Sequence, residues 1–179
     1  FMLESWLRAA NPFNRPRAMA EAQRAARTAS FALILSAASS LASAGLMAMH
    51  PEWMASIMAN QYARMGMSDE MQQAQQTMMA TIMPWAMVGG MVVTVAICLV
   101  LAWVQWKFMT RAIPIILLIL IGYSAVTGLV GLSTGQYHGM APGFVTMSVL
   151  TWAIQLVCGV LYVAALRGAL VLHRLKQEP

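Results

Sequence analysis

Charge is scarce in this chain. Only 9% of its 179 residues are Asp, Glu, Lys or Arg, and 60% are hydrophobic, whereas a soluble domain carries about a quarter charged residues. So few polar side chains cannot cover a water-facing surface, so lipid must be part of the solvent. The length suits one compact membrane domain, residues 1–179. Cysteine is also rare. Cys98 and Cys158 both fall inside apolar runs, out of reach of an oxidising compartment, which argues against a structural disulfide. The three histidines do not supply the facing pair within spans that a transmembrane b-type haem needs. No Ser/His/Asp set, carboxylate pair or phosphate loop can be assembled, so the chain reads as a non-enzyme with no cofactor.

What is present is long apolar sequence. A spanning helix needs about 20 such residues, and four stretches qualify: 28–49, 85–106, 112–133 and 145–166. None contains Asp, Glu, Lys or Arg. Proton relays and ion-coupled carriers usually keep a buried charge in the membrane, and here only Gln105, Gln155 and scattered Ser and Thr are polar. The expected fold is therefore an all-α, four-transmembrane-helix bundle.

The basic residues set the orientation. Arg8, Arg15, Arg17, Arg24 and Arg27 precede the first span, Lys107 and Arg111 join the second to the third, and Arg167, Arg174 and Lys176 follow the fourth. Only Arg64 lies on the other side. Basic loops stay in the cytoplasm, so segments 1–27 and 167–179, and hence both termini, are expected inside. The +5 balance is spread over short juxtamembrane segments, which suits anionic lipid headgroups and not nucleic acid. Arginine in place of lysine, with abundant alanine, fits a GC-rich bacterial genome, and so the bacterial cytoplasmic membrane. The basic start and Ala42-Ser43-Ala44 imitate a cleaved secretory signal. The apolar run is long for a signal core and reads as a first span that is retained.

Between the spans lie shorter helices. Leu3, Trp6, Leu7 and Ala10 share one face of an N-terminal helix suited to the inner membrane interface, and Pro12 and Pro16 break the chain after it. The outer segment 51–83 reads as an amphipathic helical hairpin. Met54, Met58, Tyr62 and Met65 follow Pro51 at helical spacing until Gly66. Ser68 is then an N-cap, Met71, Ala74, Met78 and Ile82 form a second stripe, and Pro84 opens the second span. Trp6, Trp53, Trp85, Trp103, Trp106 and Tyr137 sit near the expected interfaces, as an aromatic belt does.

Two patterns carry the functional expectations. Ser36, Ser40 and Ala44 form a small-residue stripe on the first span, and Gly128 and Gly131 do the same on the third. Small side chains let helix backbones approach closely in lipid, inside the bundle or against another subunit. Methionine supplies the second pattern, for twelve of the 17 lie between Met47 and Met91. Soft thioethers select Cu(I), so Met47, Met49, His50, Met54, Met58, Met65 and Met67 are the alternative metal ligands, with copper as the alternative cofactor. Methionine is equally a pliable hydrophobe for irregular apolar surfaces, and that is the preferred reading.

Asn11-Pro12-Phe13 before the first span, Met67-Ser68-Asp69-Glu70-Met71-Gln72 in the outer segment and Gly122-Tyr123-Ser124 in the third span resemble bacterial members of the Yip1 family. The resemblance covers roughly residues 11 to 133. It departs in lacking a proline shortly after Gly-Tyr and the Asp-Leu-Tyr-Gly-Pro signature of eukaryotic members, and in having four spans where the family has five. It implies a non-enzymatic membrane role through helix partners. The expected function is a structural or accessory subunit contacting lipids and other integral membrane subunits or copies of itself. The alternative is a transporter or Cu(I)-handling protein.

Overall fold

The computed structural model describes the backbone of residues 2–14, 16, 18–66, 69–135 and 138–177, and the same side chains except 2, 63, 64, 69–81, 83, 84 and 87. Among the described residues six helices follow in order: α1 Met2–Ala10, α2 Met19–Met49, α3 Pro51–Met65, α4 Asp69–Phe108, α5 Ala112–Ser133 and α6 Pro142–Gln177. Four of them (α2, α4, α5 and α6) contain stretches long and apolar enough to cross a membrane. The fold is an all-α membrane bundle.

The helix ends follow local chemistry. Helix α2 stops at His50, because a residue before proline is pushed out of the α region, and His50 adopts φ −126°, ψ 68°. Pro51 then takes the first turn of α3, where its missing N–H costs nothing. Gly66 closes α3 in the left-handed conformation, φ 64°, which glycine enters without a Cβ clash. Helices α4 and α5 turn back on each other through three residues, with Met109 at φ 48° and its N–H donating to the Gln105 carbonyl at 3.0 Å.

Two boundaries differ from the expectation. The outer segment does not end at Pro84, because residues 69–108 form one 40-residue helix. At 1.5 Å per residue this is about 60 Å long, twice the hydrocarbon thickness of about 30 Å. The expected second outer helix is therefore the projecting end of the second span, and Pro84 lies within the continuous helix ahead of the spanning stretch Val88–Phe108. Likewise α2 begins at Met19, nine residues before the expected span. Arg24 and Arg27 interrupt the apolar run, but their neighbours Ala22, Ala25, Ala26 and Ala29 continue a buried helical face.

Helix α2 is central. It packs on α6 along most of its length and on α4 over its other side, and α5 packs on the outside of α6. The core sits towards the end of the bundle that carries both termini. There Ala29, Ala32 and Leu33 of α2 meet Ala102 of α4 and Cys158, Tyr162 and Ala165 of α6. Closest approach comes at Gly168 and the Ala25–Ala26 backbone. Towards the other end the bundle opens, and Leu41 and Leu46 of α2 are exposed. The chain leaves 11647 Å² accessible. A compact soluble protein of 19.5 kDa exposes about 8,500 Å².

Candidate functional site

Polar groups inside the apolar bundle have to find partners, because lipid offers none. Gln105 is fully buried, and its Nε2 donates to the Ala26 carbonyl at 3.0 Å while its Oε1 accepts from the Thr110 hydroxyl at 3.1 Å. Ser30 donates to the Ala102 carbonyl at 2.9 Å, and the Thr28 hydroxyl reaches the carbonyls of Ala25 (2.7 Å) and Leu161 (3.0 Å). Three of these bonds, Gln105 to Ala26, Ser30 to Ala102 and Thr28 to Leu161, lash α2 to a neighbour near the terminal end. Cys158 lies 3.4 Å from the Ser36 hydroxyl, and both cysteines are free thiols.

Helix α1 is pinned to this end by aromatic rings. Trp6 meets Phe31 edge-on with centroids 5.2 Å apart and stacks on Trp106 at 6.4 Å. The Arg27 guanidinium lies 4.8 Å from the Trp106 ring centre. Its Nε is buried without a hydrogen-bond partner among the described residues, so the ring face supplies its compensation. Leu3 and Leu7 point away from the bundle, 75% and 64% exposed. The single face expected for α1 is therefore split, with Trp6 turned inward and the leucines outward. The connecting turn is held by Asn11, whose Oδ1 accepts from the Phe13 N–H at 2.9 Å, and by Arg167, which donates to the Pro12 carbonyl.

Between α1, this turn, α2 and α6 lies a cavity of about 350 Å³, at the small end of the ligand-pocket range of roughly 300–1,000 Å³. Glu4, Arg8, Asn11, Asn14, Glu21 and Arg24 give it polar walls, and Ala25 and Ala164 line it beside them. No site residue was expected here, although Glu4/Arg8 and Glu21/Arg24 show the i, i+4 and i, i+3 spacing that places opposite charges side by side on a helix.

At the opposite end, α3 rests on the loop between α5 and α6. Asn60 donates to the His138 carbonyl at 2.7 Å, and the Trp53 ring covers Gly143, where any Cβ would collide with it. His50 stacks on Trp53 with centroids 4.4 Å apart and bonds Glu52 at 2.7 Å. The Glu52 carboxyl is held below its usual range, first by its own backbone N–H and then by His50.

The small-residue stripe is half-buried at Ser36, Ser40 and Ala44, and the tightest packing lies earlier in α2. Gly131 is buried, and the Trp152 ring of α6 occupies the space a Cβ on Gly128 would take. Among the methionines, Met49 and Met65 are exposed, at 75% and 53%, while Met47, Met54 and Met58 are half-buried. Met54 and Met65 both lie on α3, about 16 Å apart along the helix, so no single ion spans them. Met67 and the Ser68 cap lie outside the described residues, as do Tyr137 and the side chains of Met71, Met78, Met83 and Met87. Among the described residues no three His, Cys, Asp or Glu side chains form a metal-binding group.

Comparison with protein-family models, with curated proteins and with solved structures returns no match.

Proposed function

We propose that this membrane protein is a non-enzymatic structural or accessory subunit, acting through helix–helix and lipid contacts in a larger membrane assembly. The observation that carries the reading is the unpartnered apolar surface of α4 and α5. Val92, Val93, Val100 and Trp103 on α4 and Ile116, Ile119, Tyr123, Val126 and Leu129 on α5 are each more than half exposed. Only 6% of the most apolar stretch of α5 is buried within the chain. A self-sufficient bundle packs each spanning helix on its neighbours. A helix held on one side only suits a subunit whose remaining faces meet lipid, other subunits or a second copy. The basic loops favour an orientation with both termini in the cytoplasm, the arginine- and alanine-rich composition favours a bacterial inner membrane, and the resemblance to bacterial Yip1-family proteins supports the same class of role.

The test is gentle purification from native membranes, followed by mass measurement and identification of what migrates with the chain. A fixed-stoichiometry complex is expected. A monodisperse single copy, fully active in whatever phenotype its deletion produces, would overturn the reading. Near-stoichiometric copper in the purified chain would replace it with the Cu(I)-handling alternative.

A further inference from the structure

We propose that the phosphate of a membrane phospholipid docks on Arg27, at the end of the bundle that carries both termini, with its acyl chains over the exposed faces of α2 and α4. The inference rests on the membrane reading above and gives one of its lipid contacts a place and a chemistry. Arg27 is half-buried, and its guanidinium lies 4.8 Å from the Trp106 ring centre. The ring answers part of the charge but offers no lone pair to the N–H donors of a guanidinium. Only Nε is both buried and unpartnered, and among the described residues no ion pair or hydrogen bond engages Arg27. Its two Nη groups therefore open on the surface with no protein acceptor.

The guanidinium has its support before any ligand arrives. Trp106 meets Phe31 edge-on with centroids 5.8 Å apart and stacks on Trp6 at 6.4 Å, so α1, α2 and α4 together fix the ring on which Arg27 rests. A guanidinium steadied by an aromatic ring keeps its planar N–H fork for a bidentate acceptor, and a phosphodiester presents two oxygens to such a fork. A support already in place spares part of the ordering cost of binding. A carboxylate would fit the same fork, and position selects the lipid.

Arg27 immediately precedes the apolar run of α2, and Trp106 lies close to the end of the spanning stretch Val88–Phe108. Both therefore sit at headgroup depth, where basic side chains meet lipid phosphates and tryptophans gather. From there towards the opposite end both helices present apolar side chains outward. Phe31, Ile34 and Leu41 continue the Arg27 face of α2 at helical spacing, and Trp103 and Leu99 continue from Trp106 on α4. Each of these five is at least 45% exposed. Acyl chains can lie along them while the phosphate rests on Arg27.

The test is native mass spectrometry of the full chain released from detergent in an equimolar mixture of phosphatidylcholine and diacylglycerol of matched chains. Phosphatidylcholine has no net charge and no N–H donor, so its advantage over diacylglycerol reports a phosphate contact and not bulk attraction. The wild type should retain it by about tenfold, the scale of one charge-assisted hydrogen bond. Arg27→Gln should erase that preference. Arg27→Lys keeps the charge and loses the fork, and should lower the preference severalfold, which reads the site even if Arg27→Gln fails to fold in circular-dichroism melting. Lys176→Gln, which removes one positive charge from the same end of the bundle, should change nothing. Equal retention of the two lipids by the wild type, a preference that survives in a folded Arg27 variant, or an equal loss in Lys176→Gln would overturn the proposal. A soluble arm uses sn-glycero-3-phosphocholine, which should fail to displace the lipid at equal concentration. Displacement would overturn the lipid as source. Absence of any protein partner would leave this result standing, and a partner complex without phosphate preference would sink only this proposal.

Discussion

Gly168 of α6 lies directly over the backbone of Ala26 on α2. A Cβ added at position 168 would stand 2.6 Å from the Ala26 nitrogen, 2.6 Å from the Ala25 Cβ and 2.8 Å from the Ala22 carbonyl oxygen. Two of the three atoms are backbone, so no rotamer change relieves the contact. Gly168→Ala should force α6 away from α2, and overpacking of this kind costs about 1–3 kcal/mol. Thermal unfolding in detergent would measure it. Gly122→Ala, where a Cβ meets nothing within 4 Å, is the matched control and should leave the melting temperature unchanged or slightly raised. Equal effects of the two substitutions would remove close α2–α6 contact as the basis of the core.

Gln105 makes a different kind of contact, one that reads α2 from α4 through a single amide. Gln105→Leu keeps most of the volume and loses the bond to the Ala26 carbonyl and the one from Thr110. Interhelical hydrogen bonds in membranes average about 0.6 kcal/mol and reach about 1.7 kcal/mol. Two bonds at a buried site should place the loss near the top of that range, visible as easier unfolding in a detergent titration. A neutral result would mean that shape, not hydrogen bonding, holds α4 against α2.

Gly128 and Trp152 join α5 to α6, the helix on which α5 packs. The indole occupies the space a Cβ would need, so Gly128→Ala should displace the ring and loosen α5. In a Trp152→Ala background the same substitution should cost far less. The coupling energy from this double-mutant cycle is expected at about 0.5–3 kcal/mol. A coupling near zero would show that the two residues do not meet.

Much of this architecture is legible in the sequence, and what is not has identifiable causes. The four spans are visible because apolar length alone decides them. The start of α2 is hidden by Arg24 and Arg27, which interrupt the hydropathy signal although the alanines at 22, 25, 26 and 29 keep their helical spacing on the buried side. The close contact of α6 with the alanines before Thr28 is hidden for the same reason. Pro84 misleads in the opposite direction, since proline ordinarily ends a helix and here the helix runs through it. The cavity was not legible because its walls come from α1, a turn, α2 and α6, and only folding brings Glu4 and Arg8 beside Glu21 and Arg24.

The topology prediction rests on the ten basic residues expected on one side. Reporter fusions at Ser68 and after Gln136 should read as outside, and a fusion at the C-terminus as inside. An inside signal at Ser68 would require the projecting end of α4 to lie in the cytoplasm. That outcome would reverse the orientation and move the cavity to the other leaflet.

The methionines separate the two functional classes. Met54 and Met58 are half-buried on α3, as expected of side chains that fit an irregular apolar surface. If shape and softness are all they supply, replacing Met47, Met49, Met54, Met58, Met65 and Met67 together with leucine should preserve fold and assembly. Such volume-conserving swaps cost less than about 1.5 kcal/mol each. If these methionines carry Cu(I), the same replacement removes every thioether of the candidate ligand set. His50 alone could not hold the ion in their place, because one imidazole supplies one ligand and Cu(I) is selected by soft sulfur ligands. Copper content and copper-dependent growth would then fall while the helical signal stayed intact. The expected outcome is unchanged assembly and no copper in either protein. Stoichiometric copper in the wild type, absent from the leucine variant, would make the outer segment a metal site and not an adaptable apolar surface.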